Sequence, residues 1–195
     1  KTVSYRDESL TDKKEFIKFQ SLLEERFPEI HKKANLVKIG KTGLLYHIKG
    51  KKADNPTVCM SHYDVVPADE NQWEKPAFEG IIENDEIWGR GAIDTKSTLC
   101  GVTEALEIML KNGYIPSNDL YLSFSGEEEI DGSSCPEIVA YLEKAGVKPA
   151  FVLDEGGAIV DHVFPGVSKE CAIVGTGEKG SVNYEFEVVS GGGHS

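Results

Sequence analysis

Hydrophobic positions recur along this chain at two periods. Between residues 12 and 27, Phe16, Phe19, Leu22, Leu23 and Phe27 fall three or four residues apart behind Thr11-Asp12. That spacing puts apolar side chains on one face of a helix and a capping residue at its start. A second helical face is drawn by Leu99, Val102, Leu106, Met109 and Leu110, with Asn112-Gly113 as its stop. Ser134 and Glu137 have the spacing of a capping box ahead of Ile138, Val139 and Leu142, and Gly146 closes that helix. Short runs of strand character lie between the helices: Leu36–Ile39, Leu44–Ile48, Thr57–Ser61, Leu120–Phe124 and Ala150–Leu153. Ile81–Trp88 reads as a hairpin turning at Asn84-Asp85.

Strands alternating with helices predict an α/β three-layer sandwich around a largely parallel central sheet. Beyond residue 170 the pattern changes to strands alone, at Ala172–Val174 and Val182–Val189. Residues 1–177 are therefore expected to form one domain, and residues 178–195 the first strand of a second, smaller one.

Composition narrows the functional classes. There are 21 Lys+Arg against 33 Asp+Glu, a formal charge of −12. No basic stripe is available to displace phosphate counterions, which argues against nucleic acid and against anionic lipid. No apolar run approaches the roughly 18 residues that a membrane span requires. The four cysteines (Cys59, Cys100, Cys135, Cys171) include no Cys-x-x-Cys pair and lie mostly in apolar patterns. Free thiols in a reducing, cytoplasmic setting are the expectation. The chain starts at Lys1 and stops at Gly191-Gly192-Gly193-His194-Ser195; neither end reads as a natural terminus.

The placement of the acids says more than their number. Thr57–Ser61 ends in His62-Tyr63-Asp64, and Gly89-Arg90-Gly91-Ala92-Ile93 delivers Asp94 just before a helix. Leu120–Phe124 runs into Ser125-Gly126 and Glu127-Glu128-Glu129, and Ala150–Leu153 into Asp154-Glu155-Gly156-Gly157. Ligand crevices in open α/β sheets lie outside the carboxyl ends of the strands, so four chain-distant segments meet in one crevice. So many carboxylates against apolar strands need compensation, and Arg90 and Lys96 are the nearby cations. Divalent metals suit a set of one imidazole and several carboxylates, and two ions sharing a bridging Asp fit better than one closed structural site. Asp64 stands where it can orient the His62 imidazole. Taken singly, a His after a strand or a run of Glu is an ordinary surface feature; their coincidence at four strand ends is what points to metal.

Gly175-Thr176-Gly177-Glu178-Lys179-Gly180 fits a dinucleotide-binding fingerprint. A strand-like run follows it, however, where a pyrophosphate site needs a helix N-terminus. A nucleotide-binding oxidoreductase is the weaker alternative. A non-catalytic metal-binding or interaction protein with the same fold is another.

His62-Tyr63-Asp64-Val65-Val66-Pro67, Trp88–Lys96, the Glu triplet, Leu153–Gly157 and Gly192-Gly193-His194-Ser195 together resemble, in order, five motifs of one family. These are the co-catalytic zinc amidohydrolases and metallopeptidases of aminoacylase, carboxypeptidase S, glutamate carboxypeptidase and succinyl-diaminopimelate desuccinylase. The closest flavour is the carboxypeptidase S and N-acyl-amino-acid hydrolase branch. The resemblance implies a zinc-exopeptidase-like domain and the start of a smaller α+β lid or dimerisation domain. It implies two divalent ions, zinc first, with Mn or Co accepted.

By position, His62 would bind one metal, Asp94 would bridge both and Glu129 would bind the other. The fourth ligand falls in Asp154-Glu155, with Glu155 favoured and Asp154 the fallback. Glu128 would be the general base, Asp64 would orient His62, and His194 would face the oxyanion, often across a homodimer. A slip of one in the triplet would make Glu127 the base and Glu128 the ligand. The family's last histidine ligand and its substrate-carboxylate pocket have no counterpart in this sequence. The implied reaction is hydrolysis of an amide bond in a small peptide or N-acyl amino acid.

Overall fold

A computed structural model describes residues 1–177, 179–180, 182 and 184–192. The chain groups into two compact units, Lys1–Glu155 and Gly156–Ser195. The boundary expected at residue 178 falls inside the second of them.

The first unit is built on a five-stranded sheet. Its strands are β1 (Ala34–Ile39), β2 (Gly43–Ile48), β3 (Lys52–His62), β6 (Asn118–Ser125) and β7 (Phe151–Leu153), in the spatial order β1-β2-β6-β3-β7. β3 pairs in parallel with both β6 and β7, whereas β2 is antiparallel to β1 and to β6. Only β2 therefore runs against the others, and the sheet is largely parallel. β4 (Ile81–Glu83) and β5 (Glu86–Trp88) form a separate hairpin. Asn84 and Asp85 both take positive φ there, 53° and 62°, as a two-residue primed turn demands.

Helices cover both faces of the sheet. On one side, α1 (Lys13–Arg26), α2 (Pro28–Lys33) and α3 (Lys96–Lys111) contribute Phe16, Leu23, Ile30, Leu99, Leu106 and Leu110. These side chains pack on Leu44, Tyr46, Leu122 and Phe124 of β2 and β6. On the other side, α4 (Ser134–Lys144) sets Ile138 and Leu142 against Leu45, Val58 and Tyr121. The period-two alternation of each strand divides its residues between these two cores, and each fully buried Leu, Ile or Phe contributes roughly 1.5–3 kcal/mol. The start of α2 is held from a distance: the buried Glu107 carboxylate of α3 accepts the Glu29 and Ile30 amides at 3.1 and 2.9 Å.

The capping box expected from Ser134 and Glu137 does not form at the start of α4. Ser133, not Ser134, precedes α4, and it makes no side-chain cap. Ser134 is drawn inward instead, its hydroxyl 3.0 Å from that of Ser125.

In the second unit, β8 (Ile159–Val160) pairs with β9 (Cys171–Ala172). The strand expected over Val182–Val189 is absent among the described residues, where Tyr184, Phe186 and Val188 are largely exposed. An alternating run becomes a strand only when a neighbour completes its hydrogen bonds, and none lies beside it among those residues. No helix of the described residues is long and apolar enough to cross a membrane.

Candidate metal centre

Strand register brings the acidic segments together. His62 is paired with Ser125, so the Glu triplet begins just beyond the strand end that flanks the histidine. Cys59 is paired with Leu153, which brings Glu155 to the other side of the same end. Between His62 and Asp64, Tyr63 is fully buried against Phe16 and Phe19, and its hydroxyl donates to the Thr42 carbonyl. With Tyr63 locked into the core, its two neighbours turn to the opposite side.

The turn after β6 needs a glycine. A Cβ on Gly126 would lie 2.7 Å from the Tyr63 ring and 2.8 Å from Thr42. Beyond it the triplet fans out. Glu127 turns toward Thr42, whose hydroxyl donates to it at 3.2 Å. The amides of Glu128 and Glu129 each donate to one oxygen of Asp64, both at 3.1 Å. Asp94 lies in the turn leading into α3, behind Gly91 at φ 86°.

The resulting cluster centres on His62. Its Nε2 lies 3.0 Å from Asp94 Oδ1, 3.1 Å from Glu155 Oε1 and 3.7 Å from Glu128 Oε2. Its Nδ1 faces the Asp64 carbonyl oxygen at 3.1 Å and the Asp64 carboxylate at 3.4 Å. Ligand atoms of His62, Asp94 and Glu155 all fall within 4.8 Å of one another. Glu129 stands outside that trio, and Asp154 is exposed, its carboxylate accepting the Glu155 amide at 2.8 Å. His194 lies outside the described residues. A cleft of about 370 Å3, lined by His62, Glu128, Asp154 and Glu155, opens beside the cluster. A larger groove of about 520 Å3 runs under α4 and holds none of the clustered carboxylates.

The electrostatics are those of crowded, partly buried like charge. Burial raises the pKa values of Glu128, Glu129 and Glu155, and neighbouring carboxylates, Asp94 among them, raise them further. Burial alone would lower the pKa of His62, but Asp64, Glu155 and Glu128 outweigh it and lift it to about 9. Asp64 behaves oppositely to the glutamates. Burial pushes its pKa up, yet hydrogen bonds from His62, Ser4 and the Glu128 amide hold it below the usual carboxylate value.

Among the described residues, His62 is the one basic side chain within ion-pair distance of Asp94, Glu128 or Glu155. Lys96 turns away to donate to Thr2. One imidazole among several converging carboxylates forms a donor set that fits divalent metal ions.

Sequence reasoning overlooked Ser4. Its hydroxyl donates to Asp64 at 2.7 Å across sixty positions of chain, and no local pattern marks it.

Comparison with known proteins gives the cluster a context. The profile of peptidase family M20/M25/M40 matches residues 58–194. The chain is 39% identical to the N-fatty-acyl-amino acid synthase/hydrolase PM20D1 of Homo sapiens over 77% of its own length and 30% of that protein's. It is 36% identical to the probable carboxypeptidase S-like 2 of Dictyostelium discoideum over all of its length and 39% of the relative's. An M20 family metallo-carboxypeptidase from Sulfolobus solfataricus superposes with a TM-score of 0.59 at 32% identity, over 75% of this chain and 32% of that one. The chain thus spans about a third of the length of the relatives it matches.

Proposed function

The chain belongs to peptidase family M20/M25/M40, and from that premise we propose that it carries the metal-binding part of a hydrolase. The substrate is a small peptide or an N-acyl amino acid, and the bond cleaved is an amide. The convergence of His62, Asp94 and Glu155 within 4.8 Å carries this reading, with the Glu128 carboxylate beside them. Peptide and N-acyl-amino-acid chemistry is taken from the names of the relatives.

Two divalent ions, zinc foremost, would be held with Asp94 shared between them. His62 and Glu155 would complete the set on one ion, and Glu129 would serve the other. When bound, such ions lower the pKa of water and polarise the carbonyl under attack. Asp64 holds His62 by Nδ1, leaving Nε2 free for the ligand position. Glu128 takes the proton of the attacking water on its carboxylate and returns it to the leaving nitrogen as the C–N bond breaks. Its raised pKa suits a group that must both accept and donate. His194 would donate to the tetrahedral oxyanion. Residues 178–195 would open the smaller lid or dimerisation domain of a cytoplasmic homodimer.

The test is hydrolysis of a panel of dipeptides and N-acyl amino acids by the zinc-loaded full-length protein and its Glu128→Gln variant. Wild-type cleavage abolished in the variant, with metal retained, supports the assignment. Metal binding without cleavage of any panel member would favour a non-catalytic protein.

A further inference from the structure

The Asp64 carboxylate has four neighbours, and three of them come from the site itself: His62 and the amides of Glu128 and Glu129. The fourth comes from the start of the chain. Val3 forms a parallel bridge with Val65, with the Ser4 amide donating to the Val65 carbonyl at 3.2 Å and the Val65 amide to Thr2 at 3.0 Å. The Thr2 hydroxyl donates to the Tyr63 carbonyl, and the Lys96 ammonium donates to Thr2 Oγ1 at 2.8 Å. This short strap is buried, with Thr2 at 0% and Ser4 at 3% exposure. It lays the Ser4 hydroxyl against Asp64 Oδ2 at 2.7 Å, the same oxygen that accepts the Glu129 amide.

We propose that Ser4 is a positioning residue for the metal centre: its hydroxyl fixes the Asp64 carboxylate so that one group orients His62 and the Glu128–Glu129 turn together. The inference rests on the metal reading given above. The geometry explains why one hydroxyl can matter to two sides of a cluster. A carboxylate held at a single oxygen can rotate about its Cβ–Cγ bond. Here Oδ1 serves the Glu128 amide and faces His62, while Oδ2 serves the Glu129 amide. Ser4, anchored by strap hydrogen bonds that do not involve the site, locks that division. Removing it leaves Oδ2 held by the Glu129 amide alone, so the carboxylate loses its one anchor outside the site, and the His62 imidazole and the glutamate turn are set less firmly against each other.

The test uses the full chain, stripped of metal by chelation and titrated with Co(II), followed by its visible absorption, and with Zn(II) against a chromophoric chelator. Groups that bond a metal ligand from behind are typically worth about 10–100-fold in metal affinity; Ser4 stands one group further back, behind Asp64, and the loss expected for Ser4→Ala is at the lower end, about 10-fold. Ser4→Thr keeps the hydroxyl and should restore affinity and the Co(II) spectrum. Thr2→Val removes the strap's side-chain bonds to Tyr63 and Lys96 but keeps the backbone bridge that carries Ser4; it should lower thermal stability and leave affinity near wild type. If Ser4→Ala does not fold, Ser4→Cys, with a weaker donor of similar size, should show a smaller loss in the same direction. Unchanged affinity and spectrum in the Ser4 variants, or an equal loss in Thr2→Val, would overturn the proposal. A folded wild-type chain that holds neither ion would overturn the metal reading itself and this inference with it.

Discussion

The cluster has a buried side and an open side, and they are held by opposite means. His62 and Asp64 are 2% and 0% exposed, and Asp64 meets donors from Ser4, Glu128 and Glu129. Asp94 and Glu128 have side chains 67% and 54% exposed and gather around His62. The buried side is complete as folded, because every charge there has protein partners. The open side concentrates like charge, a cost that a bound cation offsets. Substitutions on the buried side should therefore cost stability as well as metal affinity, and those on the open side should cost metal or turnover with little loss of stability.

The largest effect should come from the open side. Glu128→Gln in the zinc-loaded full-length enzyme should lower kcat by about 10²–10⁴-fold, the range for losing a general base, while metal affinity stays put. Metal affinity falling in step with kcat would make Glu128 a ligand and erase the division of labour within the triplet.

On the buried side, Asp64→Ala strips two amides, a serine hydroxyl and an imidazole of their acceptor. Breaking a buried charged set in this way costs roughly 3–5 kcal/mol, readable by denaturant unfolding of the metal-free chain. A loss under about 1 kcal/mol, within the range of ordinary surface substitutions and small hydrogen-bond effects, would remove the contrast between the two sides.

Glu107→Ala sharpens the same comparison. This carboxylate is also buried and also receives two amides, but it lies away from the cluster. The expected loss is about 1–3 kcal/mol of stability with unchanged zinc affinity. A parallel drop in affinity would mean that metal binding reports general loosening and not local geometry.

The smallest effect concerns acid. Asp119 is held below the usual carboxylate value: burial pushes it up, but the Gly50 amide and His47 outweigh that. A depressed folded value stabilises above the unfolded pKa, and that contribution is lost as pH falls through the folded value. The raised glutamates of the open side have the reverse sign, since protonation relieves them. Thermal scans of metal-free wild type and Asp119→Asn should differ at pH 7 and converge below about pH 4. A gap that persists in acid would contradict the assignment.

Much of this architecture can be read directly from the chain. Asn84-Asp85, Gly113 and Gly146 mark a turn and two helix ends because positive φ restricts the residues that fit. His62, Asp94 and Glu155 announce themselves because each follows a strand or opens a helix in an alternating fold. Other features depend on contacts between distant positions. Ser134 leaves its capping position for a hydroxyl on β6. Val182–Val189 alternates as a strand would, but alternation describes one side of a pairing and does not supply the partner. Ser4 carries no signal of its own; only the register of the Val3–Val65 bridge brings it to Asp64.

The most direct test of the central claim is metal content per chain after zinc loading and extensive dialysis, for wild type and Asp94→Ala. Asp94 is exposed, and the one buried side chain its carboxylate meets is His62 at 3.0 Å, so its removal should cost the fold little. Wild type should retain about one tightly held ion through the three-ligand trio, and Asp94→Ala should retain none while unfolding at the same temperature. A folded wild type without stoichiometric zinc, or an Asp94→Ala chain that keeps it, would contradict the account.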